Sequence, residues 1–325
     1  MRLYRDPAQV RQHHDDAADN AVVGARPLWV TLGTFDGLHV GHQYLIELLR
    51  QRAADAGNDA ASMVITFELH PRVVLKHRPP RPILSLGHKL RLLAATGVDA
   101  TLLLRFDQAL ARVEPEDFVR DWLVGQLRVA GVVLGYDSRF GHKARGDYEL
   151  LAALGRELGF ATVHGEPVAL PDGEVVSSTA VREAVARHDL SRAAAMLGRP
   201  FSVLGRVIEG QQLGRQLGFP TANIRVDHDS LLPFGIYAVR AEGVWGAASV
   251  GVRPTVERDG GQSVQPLLEV HLLDWSGSLY GRRMEVEFHH YVRPEWKFDS
   301  LDDLRAQIEQ DCRDVREWAK ANGAR

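Results

Sequence analysis

Through the first 160 residues, short apolar runs alternate with stretches whose apolar positions recur every three or four residues. Residues 28–32 (LWVTL) read as a strand, and 41–56 as a helix with Leu45, Leu48, Leu49 and Ala53 on one face. Gly57 is the expected stop of that helix. Residues 62–67 form a second expected strand, 89–95 a helix, 100–104 a third strand and 132–134 a fourth. Pro115, followed by Glu116 and Asp117, opens a further helix, because proline suits a first turn and acidic side chains suit the positive end of the helix dipole. Residues 148–158 complete the series as a helix. Strand and helix alternating in this way predict a parallel α/β sheet, whose ligands sit beyond the carboxyl ends of the strands.

The pattern changes after residue 200. Strands are expected at 202–208, 236–241, 247–251, 267–273 and 284–290, with glycine and proline between them. Short strands in succession predict a small antiparallel β-barrel. A last helix closes the chain, with Ser300 as N-cap, an apolar stripe of Leu301, Leu304, Ile308 and Val315, and Gly323 past its end. A helical linker over 179–197 ends at Gly198-Arg199-Pro200. The fold class read from these patterns is α/β plus β. Residues 1–186 form a Rossmann-like parallel-sheet domain, 187–200 a linker, and 201–325 a barrel domain with a C-terminal helix.

Composition narrows the function. The 325 residues are 45% hydrophobic and 25% charged with a net charge of −3, so no global basic field points to nucleic acid. Only five of the 39 basic residues are lysine, and arginine suits planar phosphate recognition. One cysteine, Cys312, allows no intrachain disulfide and no cysteine metal cluster. The first twenty residues are polar, and no run is long and apolar enough to span a membrane. These features lead us to expect a cytosolic protein that acts on small molecules, without nucleic-acid or membrane partners, as a monomer or weak homo-oligomer.

The candidate chemistry of the first half lies between the first strand and the first helix, in Gly33-Thr34-Phe35-Asp36-Gly37-Leu38-His39-Val40-Gly41-His42. Glycines at 33, 37 and 41 admit a phosphate close to the backbone, and the helix start offers N–H groups and a positive dipole end. His39 and His42, three apart, can face one anion. Such an HxGH segment suits nucleotidyl transfer, in which charge builds on phosphate oxygens and no covalent nucleophile is needed. Ser178 and Thr179 are expected to cap the helix that follows them. With Arg182 and the HxGH segment, the same hydroxyls suit a pyrophosphate leaving group.

These segments resemble the N-terminal module of bacterial bifunctional riboflavin kinase/FMN adenylyltransferases. So do Thr66-Phe67-Glu68-Leu69-His70-Pro71, Phe106-Asp107, and Gly135-Tyr136-Asp137-Ser138-Arg139-Phe140-Gly141 with Gly146-Asp147. The resemblance implies AMP transfer from ATP to FMN, an HxGH-type nucleotidyltransferase fold, and nucleotide contacts at Gly33, Phe35, Gly41 and Asp137. It also implies phosphate roles for His39, His42, Ser178, Thr179 and Arg182. Ser138 departs from the family, which usually has an aromatic residue there.

The second half has no GxxxxGK[ST] and no GxGxxG, which disfavours a P-loop kinase and a dinucleotide fingerprint. It has instead Gly205, Gly210, Gly214-Arg215 and Gly218, followed by Phe219-Pro220-Thr221-Ala222-Asn223. We read this as a close-approach loop, with Thr221 and Asn223 offering oxygens suited to Mg²⁺ on a nucleotide phosphate. With 233–237, 250–255, 268–274, 279–281 and 291–298, it resembles the riboflavin kinase module of the same family. There Glu269 is the expected base, Gly214 and Arg215 bind phosphate, and ATP, Mg²⁺, riboflavin, FMN and FAD are the implied ligands. Ser249 stands where the family usually has asparagine. Alternation of 269, 271 and 273 with 268, 270 and 272 marks a two-faced strand but leaves open which face meets ligand. Arg293, Tyr291, Trp296 and Phe298 either line a flavin pocket or pack the final helix, and we favour packing. His289-His290 and Cys312 are read as structural. Two alternative functions stay open: a riboflavin kinase with a degraded adenylyltransferase half, and a non-catalytic flavin or nucleotide binder.

Overall fold

The computed structural model describes residues 1–15, 26–57, 60–75, 79–210, 213–227, 231–256 and 262–323. They divide into two compact units: Met1–Pro80 with Lys89–Ser177, and Arg81–His88 with Ser178–Arg325.

The first part of the chain runs β1 (Arg2–Tyr4), α1 (Pro7–Asp15), β2 (Leu28–Leu32), α2 (Val40–Asp55), β3 (Ala61–Phe67), α3 (Leu86–Ala95), β4 (Ala100–Leu104), α4 (Pro115–Asp117), β5 (Val129–Leu134), α5 (Tyr148–Leu158) and β6 (Ala161–His164). Among the described residues the sheet order is β1-β4-β3-β2-β5-β6, and every pairing is parallel. All five residues of β2 are buried, as expected for a parallel strand covered on both faces. The chain turns to β3 on one side of β2 and later to β5 on the other. The end of β2 is therefore the switch point at which such sheets bind ligands.

The four expected strands are thus six. β1 has three residues, too few to show a period, and its one buried side chain is Tyr4. β6 is an edge strand with no fully buried residue, so it carries no apolar run. On α2 the buried face is Leu45, Ile46, Leu49 and Ala53, with Ile46 in place of the expected Leu48. The helix opened by Pro115 continues over Phe118–Gln126 with π-type winding.

The second part runs α6 (Ser178–Ala186), α7 (Leu190–Leu197), β7 (Phe201–Ile208), α8 (Leu213–Gln216), β8 (Ala222–Val226), β9 (Gly235–Ala241), β10 (Val244–Val256), β11 (Gln262–Leu272), β12 (Arg283–Arg293) and α9 (Leu301–Ala321). The strands close into an antiparallel barrel in the order β10-β11-β8-β7-β12-β9, which leaves no open edge. The expected linker helix is two helices. They break at His188, whose φ is +59°, and Asp189 caps α7 by accepting the Arg192 N–H. The helix α6 begins at Ser178 itself, so the preceding cap position belongs to Ser177 rather than to Ser178 or Thr179. A strand missing from the sequence reading, β8, occupies the segment read there as a loop.

Ser300 caps α9 as expected, accepting the Asp303 N–H. The buried face of this helix is Asp311, Cys312, Val315 and Ala319, whereas Leu301 is 57% exposed. The apolar stripe therefore serves the barrel only along its later turns. Burial raises the Cys312 thiol to about 11, consistent with a structural side chain. His289 and His290 pack against Trp245 and Trp318. No helix among the described residues is long and apolar enough to cross a membrane.

Candidate active sites

The first site grows out of β2. Beyond Leu32 the backbone takes three positive φ values in four residues, at Phe35 (49°), Gly37 (83°) and Leu38 (43°). For phenylalanine and leucine that region costs roughly 1 kcal/mol or more each, and such strain collects at functional loops. The turn buries Phe35 and Leu38 and delivers His39 as the N-cap of α2. The His39 Nδ1 accepts the backbone N–H of His42 at 3.3 Å. Because Nδ1 is the acceptor, a neutral His39 carries its proton on Nε2.

The two imidazoles stack, with centroids 3.6 Å apart and planes 19° from parallel. Phe35 backs His42 at 5.1 Å, so its side chain supports the histidine from inside the fold. A Cβ on residue 33 would lie 3.3 Å from the Phe35 ring, and one on residue 41 would lie 3.2 Å from the His39 ring. Both glycines therefore make room for rings of the site.

Burial, and then the charges of His39 and Lys89, hold the His42 ring well below the usual histidine range, so it is neutral near pH 7. Among the described residues its buried Nδ1 has no hydrogen-bond partner. A formal cation beside the pair is Lys89, which sequence reasoning placed only as a helix residue. Lys89 is 9% exposed and donates to Phe67 O at 2.8 Å and to Thr34 O and Thr66 Oγ1 at 3.3 Å. Burial lowers its pKa to about 8, and Asp36 works in the opposite direction. The signal in sequence was only a rare lysine at the start of an apolar stripe.

Asp137 is exposed on the turn after β5. Around it, Phe140 covers Gly146, Gly141 lies against Pro115, and Arg139 pairs with Asp147, the N-cap of α5. Much of this glycine-rich segment therefore serves packing. Ser138 is tucked against Gly135, where a Cβ would lie 2.8 Å from the serine hydroxyl. In the second unit, the Arg182 Nε donates to Arg81 O at 2.8 Å and its NH1 to Ser178 O at 3.1 Å, which fixes the guanidinium at the first turn of α6.

The barrel carries a cavity of about 520 Å³, with Gly214, Thr221, Ser249, Glu269, Arg293 and Trp296 in its wall. Its geometry comes from strand register. Glu269 on β11 pairs with Asn223 on β8 and with Ser249 on β10, so the three side chains form a row on one face. Of the two faces of β11, Glu269 and His271 line the cavity, while Leu268, Val270 and Leu272 are buried on the other side. Leu273 lies past the strand end and packs with Cys312 and Val315 of α9.

Thr221 lines the cavity, and Asn223, beside Glu269 in the same row, is buried at 4% exposure. The backbone of Gly210 covers its amide, and a Cβ there would lie 2.2 Å from Nδ2. Among the described residues Asn223 Oδ1 has no partner, which is a costly state for a buried carbonyl. His271 Nδ1 lies 2.9 Å from Pro220 O and ties down the segment before Thr221. Gly214 is required, since a Cβ would lie 2.4 Å from Phe219 O. The Arg215 side chain lies outside the described residues.

Packing and lining are not exclusive at Arg293. Its Nε and NH2 pair with the two Asp311 carboxylate oxygens at 2.7 and 2.6 Å, fastening α9, and its guanidinium lies 4.5 Å from the Trp296 ring. Gln307 adds a third bond to Asp311 at 3.0 Å. Tyr291 packs on His188 and Tyr237. Trp296 is 53% exposed and, with Phe298, belongs to the cavity wall rather than to helix packing. The first turns of α9, with exposed Leu301 and half-buried Leu304, complete that wall.

Comparison with known proteins matches both halves. The FAD synthetase family model covers residues 24–180 and the riboflavin kinase family model residues 197–319. A bifunctional riboflavin kinase/FMN adenylyltransferase from Haemophilus influenzae is 40% identical over 300 residues, spanning 90% of this chain and 93% of its own. Its counterpart from Escherichia coli K12 is 39% identical over 295 residues, 89% of this chain and 92% of its own. A crystal structure from Streptococcus pneumoniae, described as a macrolide-efflux protein, matches with a TM-score of 0.81 at 27% identity, covering 98% of this chain and all of that one. The chain belongs to the bifunctional riboflavin kinase/FMN adenylyltransferase family.

Proposed function

We propose that this protein makes FAD in two ATP-dependent steps, phosphorylating riboflavin to FMN in residues 201–325 and adenylating FMN in residues 1–186, with 187–200 as the linker. The observation that carries this reading is the presence in one chain of two distinct anion-handling sites. One is a stacked histidine pair at a helix start beyond a central parallel strand. The other is a barrel cavity with Glu269 between Ser249 and Asn223. We assign the chain to the cytosol, as a monomer or weak homo-oligomer.

In the adenylyl step an FMN phosphate oxygen attacks the α-phosphorus of ATP, and pyrophosphate leaves. His39, protonated on Nε2, donates to the transferring phosphate. His42 and the N-terminus of α2 complete a set of oriented donors that needs no reorganisation as charge builds. Gly33 and Gly41 let the nucleotide approach, Phe35 holds His42, and Asp137 contacts the nucleotide. Ser178, Thr179 and Arg182 bind the pyrophosphate.

In the kinase step Glu269 accepts the proton of the ribityl hydroxyl as it attacks the γ-phosphorus. Thr221 and the unpartnered Oδ1 of Asn223 fit a Mg²⁺ ion, whose oxygen preference matches this neutral pair. When bound, that ion neutralises charge on the ATP phosphates. Gly214 and Arg215 bind those phosphates, and Arg293 and Trp296 border the flavin.

Chromatography of products from riboflavin, and then from FMN, with ATP and Mg²⁺ tests the reading. Riboflavin should give FMN and then FAD, and FMN should give FAD. Arrest at FMN would favour a kinase alone, and binding without turnover a carrier.

A further inference from the structure

We propose that Lys89 is a positioning residue for adenylyl transfer, joining the carboxyl ends of β2 and β3 so that the turn between β2 and α2 presents the histidine pair. This rests on the adenylyltransferase reading above.

The geometry is specific. Three acceptors converge on one ammonium group: Thr34 O from the turn after β2, and Thr66 Oγ1 and Phe67 O from the end of β3. Thr66 Oγ1 also donates to Thr34 O at 3.1 Å, which closes the cluster. All three donors of Lys89 are thereby directed at the protein rather than at a ligand. Thr34 precedes Phe35, whose strained backbone places its ring against His42. Loss of the ammonium would release Thr34 and allow that turn to relax, and with it the stack of His39 on His42.

The ammonium also acts through its field. The titratable groups that bear on it or on His42 are Asp36 from the turn and His39 from the cap of α2. Its charge opposes protonation of His42, and so preserves a neutral ring that matches the uncharged, unpartnered Nδ1. An almost fully buried lysine opposed by desolvation is costly to keep. Three hydrogen bonds and the Asp36 charge offset part of that cost, and together they order the loop.

The test uses the full chain with Lys89→Met and Lys89→Arg. Lys89→Met should lower kcat for FAD formation from FMN by about 100-fold, the scale of displacing reacting groups by about an ångström. KM for ATP and FMN should stay within about threefold, because the residue touches neither. FMN formation from riboflavin in the same preparations should be unchanged. Wild-type kcat/KM for FAD formation should fall above about pH 8, where free Lys89 loses its proton. Lys89→Arg should restore much of the rate and remove that fall. A second measurement needs no turnover: the imidazole titration of His42, followed by NMR, should move up towards the ordinary histidine value in Lys89→Met. Wild-type kcat in Lys89→Met, a loss confined to KM, or an unmoved His42 titration would each overturn the proposal. If the wild-type chain forms no FAD from FMN, the underlying reading fails, and the His42 titration alone then decides the role of Lys89.

Discussion

Burial holds the His42 ring well below the usual histidine range, and the resulting neutrality near pH 7 has consequences that can be measured. Its folded pKa lies below its unfolded value, so as pH falls below about 6.5 the unfolded chain takes up a proton that the native site refuses. Stability is therefore lost as pH falls through that window and recovered as pH rises. Denaturant midpoints measured between about pH 5 and 7.5 should drop less steeply for His42→Asn than for wild type, because the variant lacks that titration. The two reactions should also separate at single residues. His39→Ala with His42→Ala should reduce FAD formation from FMN by about 10³-fold or more, leaving riboflavin phosphorylation intact. Glu269→Gln should reduce riboflavin phosphorylation by about 10²- to 10⁴-fold and spare FAD formation from supplied FMN. If either substitution abolished both activities in a folded protein, the two-site assignment would be lost.

At the scale of elements, the most informative piece is α9. Its later turns bury Cys312, Val315 and Ala319, and its earlier turns leave Leu301 and Leu304 on the cavity wall. Asp311 stands at the change between the two. Its bidentate pair with Arg293 is almost wholly buried, with side-chain exposures of 5% and 11%. Removing one member leaves a buried charge without its partner, so Asp311→Ala should cost about 3 kcal/mol of stability. Urea unfolding of Asp311→Ala and of the double variant with Arg293→Met provides the check. The double variant should recover part of the loss, since the stranded charge is gone.

The strands and helices that were legible in sequence were those with a strong period or clear punctuation. Tyr148–Leu158 fell in its expected place because Asp147 caps it and Gly159 ends it in a left-handed conformation. What escaped was short or local in appearance. β8 looked like a turn, because Pro220 and Thr221 precede it and its strand character comes from pairing with β7 and β11. The linker helix divides at His188, where a positive φ accompanies packing of its ring on Tyr237 and Tyr291, contacts distant in the chain.

At the scale of the molecule, the chain divides into two compact units, and we expect FMN released by one copy to serve another. A mixture of the His39→Ala/His42→Ala chain with the Glu269→Gln chain should therefore convert riboflavin to FAD, although neither does so alone. Chromatography of the mixture decides it, and failure to recover FAD at micromolar enzyme would mean that FMN does not pass through solution.

Fold class and family were already legible in the chain, along with the candidate reactive side chains, because period, glycine spacing and short motifs are local properties written in consecutive residues. Tertiary structure alone decided which of those groups carry charge and which share a face. Neutral His42, buried Lys89 and the row of Ser249, Glu269 and Asn223 depend on desolvation and strand register. Those two quantities arise only when residues distant in the chain are brought together, and no local pattern encodes them.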